Sequence, residues 1–207
     1  MPSRSAGLLL YRHRLDRHGN DELEVLLGHP GGPFWARKDD GAWSIPKGEY
    51  TEGEEPWVAA QREFTEEIGL PPPNGPRIDL PPVRQAGGKV VTAFAVLGDL
   101  DVDGAVSNTF TMEWPPRSGR MAEFPELDRV AWWGLDTARV KLLKGQRPLL
   151  DALVEALGSR SSASPAWPRD THVSIMPAER SGSVSSVSRW STSPASTRTR
   201  HVPQNPC

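Results

Sequence analysis

The stretch from Gly48 to Leu70 reads GEYTEGEEPWVAAQREFTEEIGL, and its pattern decides the fold. Pro56 suits the first turn of a helix, and Gly69 followed by Pro71, Pro72 and Pro73 stops one. The spacing therefore predicts a helix over 56–68. At about 100° per residue, Glu63, Glu66 and Glu67 stand at i, i+3 and i+4 and share an arc of about 100°. Trp57, Ala60, Phe64 and Ile68 form a separate apolar stripe, roughly 100° further round. One face anchors the helix and another presents carboxylates. Like charges at this spacing repel by a few tenths of a kcal/mol each. A hard divalent cation, which prefers oxygen ligands, relieves that repulsion. Rigid support behind such a face suits a catalytic metal site.

Outward from this helix the chain reads as one α/β unit. Ser5 to Tyr11 (SAGLLLY) and Leu23 to Leu27 (LEVLL) are strand-like, and polar Arg12 to Glu22 reads as the turn between them. Gly28 to Gly41 is a glycine-rich loop carrying Phe34, Trp35, Arg37 and Lys38. Trp43 to Ile45 reads as a short strand stopped by Pro46. Lys89 to Leu97 and Val130 to Trp133 read as strands, Asp136 to Leu143 and Pro148 to Leu157 as helices, and Ser107 to Asp128 as a loop. His13, His18 and His29 read as surface or turn residues. Trp35 and Trp43 read either as core-edge fillers or as stacking groups.

Composition sets the outer limits. Of 207 residues, 24 are Lys or Arg and 26 are Asp or Glu, a net charge of −2 that excludes a bulk electrostatic grip on nucleic acid. Hydrophobic residues make up 37%, which suggests a segment that does not pack. That segment is 159–207, with 13 Ser, 6 Arg and no Lys; it carries +4 and leaves −6 on 1–158. Its apolar residues are scattered, so it is expected to be disordered, beside a single folded domain over 1–158. The one cysteine, Cys207, excludes a disulfide framework and a Cys/His zinc cluster. Apolar runs such as Ala6 to Leu10 are too short to span a membrane, and the first residues are too short for a secretory signal. A cytoplasmic protein is expected.

The 48–70 stretch resembles the signature of the Nudix (MutT-like) hydrolase family, G-x5-E-x7-R-E-U-x-E-E-x-G-U, with U a bulky apolar residue. Gly48, Glu54, Arg62, Glu63, Phe64, Glu66, Glu67, Gly69 and Leu70 occupy its nine fixed positions. The chance of such a match is about 10⁻⁹ per window at ordinary residue frequencies. The resemblance implies an α/β/α sandwich around a mixed β-sheet. It implies Mg²⁺, with Mn²⁺ as a substitute, on Glu63, Glu66, Glu67 and the backbone carbonyl of Lys47. It also implies that Arg62 orients the glutamates and that Glu54 ties the loop to the helix. The activity implied is hydrolysis of a pyrophosphate bond in a nucleoside diphosphate linked to another group.

Such chemistry needs charge neutralised on phosphoryl oxygens and a carboxylate to take or orient the proton of water. Glu67 is the helix candidate for that second role; the alternative keeps it as a ligand and puts the base in Ser107 to Asp128. There Glu126, six residues ahead of Trp132, is preferred to Glu123. Lys47, Lys89, Arg117 and Arg120 are candidates for phosphate contact. The lead-in Trp43-Ser44-Ile45-Pro46-Lys47-Gly48 looks like that of relatives acting on dinucleoside polyphosphates or oxidised nucleoside triphosphates. The tyrosine frequent past the signature in the dinucleoside enzymes is missing at 86–88, and the proline of many ADP-ribose hydrolases is replaced by Gln85. The expected partner is a nucleotide or dinucleotide, with no stable nucleic-acid partner, no membrane and the oligomeric state open. The competing class is a catalytically silent nucleotide-binding or regulatory module, which usually loses the carboxylates that are intact here.

Overall fold

Alternation along the first strand builds two cores. The computed structural model describes residues 4–161, and that strand, β1 (Arg4–Leu15), is buried on both faces over residues 5–11. Ala6, Leu8 and Leu10 enter one apolar cluster, while Leu9 and Tyr11 enter another. The period of two that sends successive side chains to opposite faces thus makes β1 the spine of a layered molecule.

The remaining elements are β2 (Asp21–Pro30), β3 (Lys47–Glu49), α1 (Pro56–Ile68), β4 (Arg77–Arg84), β5 (Val90–Leu97), β6 (Thr109–Glu113), β7 (Met121–Pro125), β8 (Leu127–Gly134), α2 (Leu135–Lys141) and α3 (Pro148–Ser161). Six strands form one sheet in the order β4-β5-β1-β2-β8, with β3 joined to β1. The β1–β5 pair is parallel and the others are antiparallel, so the sheet is mixed. Helix α1 covers the face of Leu8, Leu10 and Leu26 with Ala59, Ala60, Phe64 and Ile68. On the opposite face, Ala138 of α2 and Leu149, Leu150 and Leu153 of α3 join Leu9, Val25 and Leu27. The result is the α/β/α sandwich around a mixed sheet. Burying a side chain such as Phe64 or Ile68 contributes about 1.5–3 kcal/mol.

Several elements differ from the sequence reading. The β1–β2 turn is shorter, because polar residues continue into the strands as cross-strand partners: Arg12 faces Glu24 and holds its carboxylate at 2.7 Å. Only 16–20 remain as the tip, where Asp16 accepts the N–H groups of His18 and Asn20 at 2.7 and 2.8 Å. Trp43 to Ile45 is not a strand; Ser44 bridges Gly28, and Trp43 bridges Leu142. The expected loop 107–128 contains an antiparallel hairpin, β6–β7, with Phe110 facing Phe124 and Met112 facing Ala122. Strand β4 was hidden by Pro81 and Pro82, which sit where the β4–β5 register shifts at the sheet edge. Helix α3 runs through Ser161, past the expected boundary at 158; the stretch expected to be disordered lies, from 162 onward, outside the described residues. Among the described residues no helix is long and apolar enough to cross a membrane.

Candidate active site

Along one side of β1 the partner changes: Ser5 to Gly7 pair with β3, and Tyr11 to Leu15 pair with β2. The chain from Gly31 to Pro46 leaves and returns between those two partners. Strand β3 feeds the loop that enters α1. The helix starts with Pro at its first turn and ends at Gly69, whose φ of 78° lets its N–H reach the Thr65 carbonyl. With Phe64 and Ile68 fully buried, the acidic side of α1 is held toward β3.

A guanidinium organises two of the three acids. Arg62 donates from Nε to Glu54 at 3.1 Å and from one terminal nitrogen to Glu63 at 2.6 Å and Glu66 at 3.2 Å. Its other terminal nitrogen reaches the Glu49 carbonyl at 3.3 Å. The hydrogen bond to Glu54, followed by the contacts with Glu63, holds Arg62 above its ordinary pKa. The planar fork suits this task, since it fixes several oxygens at set angles. Gly48 completes the arrangement: a Cβ there would run into the Glu63 carboxylate. A side chain at that position would displace the Glu63 carboxylate from its place beside Arg62.

Glu67 stands apart from this network. Its Oε2 accepts the Lys47 N–H at 3.1 Å. Burial pushes its carboxyl up to about 7; the charge and N–H of Lys47 oppose this, and the charges of Glu126 and Glu63 add to it. Glu126 is raised as well, first by burial and then by Glu63 and Glu66. Glu126 lines the same cleft as Glu67, although it lies 59 residues beyond it in sequence. Its backbone is fixed on both sides, with N–H to the Asn108 carbonyl at 2.7 Å and C=O to the Gly31 N–H at 2.9 Å.

A cleft of about 420 Å³ opens above Glu67. Lys47, Glu67 and Glu126 form its polar end, and Phe34, Trp35, Phe110 and Met112 form the other. The structure does not bring the remaining cationic candidates to it. Lys89 pairs with Glu49 at 3.1 Å. Arg117 and Arg120 sit exposed in the β6–β7 connection. Glu123 accepts the Thr109 hydroxyl on the outer side of the hairpin. Trp35 lines the cleft, whereas Trp43 is buried, donating to Asp39 at 2.7 Å and packing edge-on against His29 and Trp133.

His29 corrects the sequence reading: it is fully buried, 2.6 Å from an Asp128 oxygen and 2.8 Å from the Lys38 carbonyl. Phe110 and Met112 were missed because their stretch read as loop. Their period-two spacing with a polar residue between was the available signal.

Among the described residues no three acidic or histidine side chains converge as a ready metal cage. Arg62 draws Glu63 and Glu66 toward itself. The donor chemistry nonetheless fits a hard cation: the set is all oxygen, and burial disfavours the charge on Glu67 while no side-chain cation bonds to it.

A family model of the NUDIX domain matches residues 5–153. Among solved structures, the fold is similar to a mutT/nudix family protein from Listeria innocua, at 17% identity over 78% of this chain and 98% of that chain, with a TM-score of 0.54. It is also similar to a C. elegans Ap4A hydrolase in a binary complex, at 22% identity over 76% of this chain and 98% of that chain, with a TM-score of 0.50. At such identities the likeness concerns the fold alone. No curated protein matches the sequence.

Proposed function

This chain belongs to the NUDIX domain family, and from that premise we propose that it hydrolyses dinucleoside polyphosphates or nucleoside triphosphates with Mg²⁺ as cofactor. Membership makes it a pyrophosphohydrolase of nucleoside diphosphate derivatives. The narrower substrate reading is supported by the Trp43 to Gly48 lead-in and by a cleft whose polar end meets an aromatic end.

The observation that carries the reading is the buried Glu67 at the polar end of that cleft, flanked by Lys47 and Glu126. Glu63, Glu66, Glu67 and the Lys47 carbonyl would hold the metal, which when bound neutralises charge on the phosphoryl oxygens. Lys47 supplies the cleft's own positive charge for a phosphate. Arg62 keeps Glu54, Glu63 and Glu66 in one frame and does not touch substrate. Water attacks a phosphorus, the P–O bond of the pyrophosphate bridge breaks, and a carboxylate takes the proton. Glu67 and Glu126 are the two carboxylates lining the cleft, and one of them takes the proton, Glu126 where Glu67 serves only as a ligand. Lys89, Arg117 and Arg120 make at most long-range contributions from where they stand.

The test is release of phosphate or pyrophosphate with Mg²⁺ from dinucleoside polyphosphates, ordinary and oxidised nucleoside triphosphates, ADP-ribose and nucleotide sugars. The expected result is turnover of the first two groups and its loss in Glu67→Gln. Equal activity in the wild type and Glu67→Gln would remove the site, and turnover of ADP-ribose alone would remove the substrate reading.

A further inference from the structure

Side chains along β8 alternate between the two cores: Val130 and Trp132 pack on the α1 side, Ala131 and Trp133 on the α3 side. Leu127 breaks the alternation. By odd and even count it belongs with Ala131 and Trp133, yet it packs on the α1 side, in the space that Gly28 leaves. The pairing with β2 explains the switch. His29 faces Arg129, but Pro30 faces Leu127, so Asp128 is an extra residue and forms a bulge. Pro30 has no N–H with which to continue the ladder.

The extra residue is gripped from across the strand pair. Asp128 Oδ1 lies 2.6 Å from Nδ1 of the fully buried His29, and Nε2 of the same ring lies 2.8 Å from the Lys38 carbonyl. A carbonyl oxygen only accepts, so Nε2 carries a proton and donates it. The contact at Nδ1 needs a second proton, shared with the carboxylate, because a bare nitrogen and a carboxylate would be two acceptors opposed. Arg129 Nε approaches the same carboxylate oxygen at 3.5 Å. The buried ring thus ties the bulge of β8 both to β2 and to the loop that follows β2. Next to the bulge stand Leu127 and Glu126, which line the cleft, and the Glu126 carbonyl accepts the N–H of Gly31, two residues after His29.

We propose that His29 and Asp128 are positioning residues for hydrolysis: they pin the bulge and thereby aim Glu126 into the cleft. The inference rests on the reading above, in which Glu126 takes the proton of water where Glu67 is a ligand. Neither His29 nor Asp128 lines the cleft, so both act through Glu126. A regular ladder would set Asp128 opposite Pro30, return Leu127 to the α3 side and shift Glu126 by one position.

The test measures kcat and KM, on the nucleotide that the wild type turns over best, for His29→Phe, Asp128→Ala and Asp128→Asn. His29→Phe is also combined with Glu126→Gln. His29→Phe keeps a ring and loses both bonds, and Asp128→Ala loses one. Asp128→Asn keeps both, because its amide donates to Nδ1 while the Nε2 proton stays on the Lys38 carbonyl. In the first two variants kcat should fall by about 10²-fold with KM nearly unchanged, and Asp128→Asn should retain it. On the Glu126→Gln background His29→Phe should cause no further loss, since the group it positions is already disabled. Amide exchange followed by NMR reports the pinning without turnover. The Gly31 and Glu126 N–H groups should exchange about 10-fold faster in His29→Phe and Asp128→Ala, with the Leu8 N–H as an unmoved reference.

Four results overturn the proposal and leave hydrolysis at Glu67 standing. They are kcat kept in both His29→Phe and Asp128→Ala, an equal loss in Asp128→Asn, full activity in Glu126→Gln, and a full further loss when His29→Phe is added to Glu126→Gln. The last marks a merely structural role. If the wild type turns over no nucleotide, the activity reading fails on its own, and amide exchange decides whether the pair pins the bulge. Unchanged exchange at Gly31 and Glu126 overturns the proposal in either case.

Discussion

Glu63 and Glu66 lie within a turn of Glu67 on the same helix, yet the three acids occupy opposite electrostatic situations. The first two share the Arg62 guanidinium, which ties them to Glu54 and to the backbone of Glu49. Glu67 accepts one backbone N–H and faces burial and the charges of Glu126 and Glu63, which outweigh the opposing charge of Lys47. Identical side chains on one face are thus divided into a braced pair and a strained single acid. The bracing fixes where the helix sits relative to its loop. The unbraced acid shares the polar end of the cleft with Glu126 and a single cation, Lys47.

The contrast can be broken most severely at Glu67 itself. Glu67→Gln keeps the shape and removes the charge, and activity should fall by about 10²–10⁴-fold if Glu67 handles the proton or holds the metal. Phosphate or pyrophosphate release at saturating Mg²⁺ measures this.

The same substitution should act in the other direction on stability. Glu67 titrates near 4.5 unfolded and about 7 folded, so between these values the native state binds more protons than the unfolded chain. With EDTA present, stability should therefore fall as pH rises through about 4.5 to 7, by at most about 3 kcal/mol. Urea denaturation at pH 5 and pH 8 checks this, and Glu67→Gln should flatten the dependence.

Arg62→Ala attacks the braced half and leaves Glu54, Glu63 and Glu66 without their shared cation. Because the Arg62 side chain is 38% exposed, solvent screening limits the stability loss to about 1 kcal/mol. Activity should fall as well, and a Lys substitution should not restore it, since an ammonium lacks the planar fork.

The smallest effect belongs to the exposed Asp99, held below the ordinary carboxylate range by its hydrogen bond to Arg12. Its contribution is present above that range and is lost as pH falls through the folded value, the reverse of Glu67. Asp99→Asn should slightly reduce the acid sensitivity of the melting temperature.

The helix and its acids were legible in the sequence because all their signals are local. Pro56, the i, i+3, i+4 spacing and Gly69 lie within 14 residues. The aromatic wall was not, since Pro115, Pro116 and Gly119 break the pattern between two strands of five residues. Burial of His29 depends on Asp128, 99 residues away, and no local pattern announces such a partner. Trp35 and Trp43 look alike in sequence, but only the fold sends one into the cleft and the other into the core. Strand β4 was disguised by two prolines that an edge position tolerates.

Over Arg4 to Tyr11 strand β1 pairs with β5 on one side, on the other it pairs with β3 and then β2, and over residues 5–11 both its faces are covered. A single codon inserted or deleted between Ala6 and Tyr11 would exchange the residues facing α1 with those facing α3. Both layers would be mispacked by one genetic event. Library diversification by length change belongs at the 16–20 tip, where the same event would disturb only the turn's own hydrogen bonds and neither core.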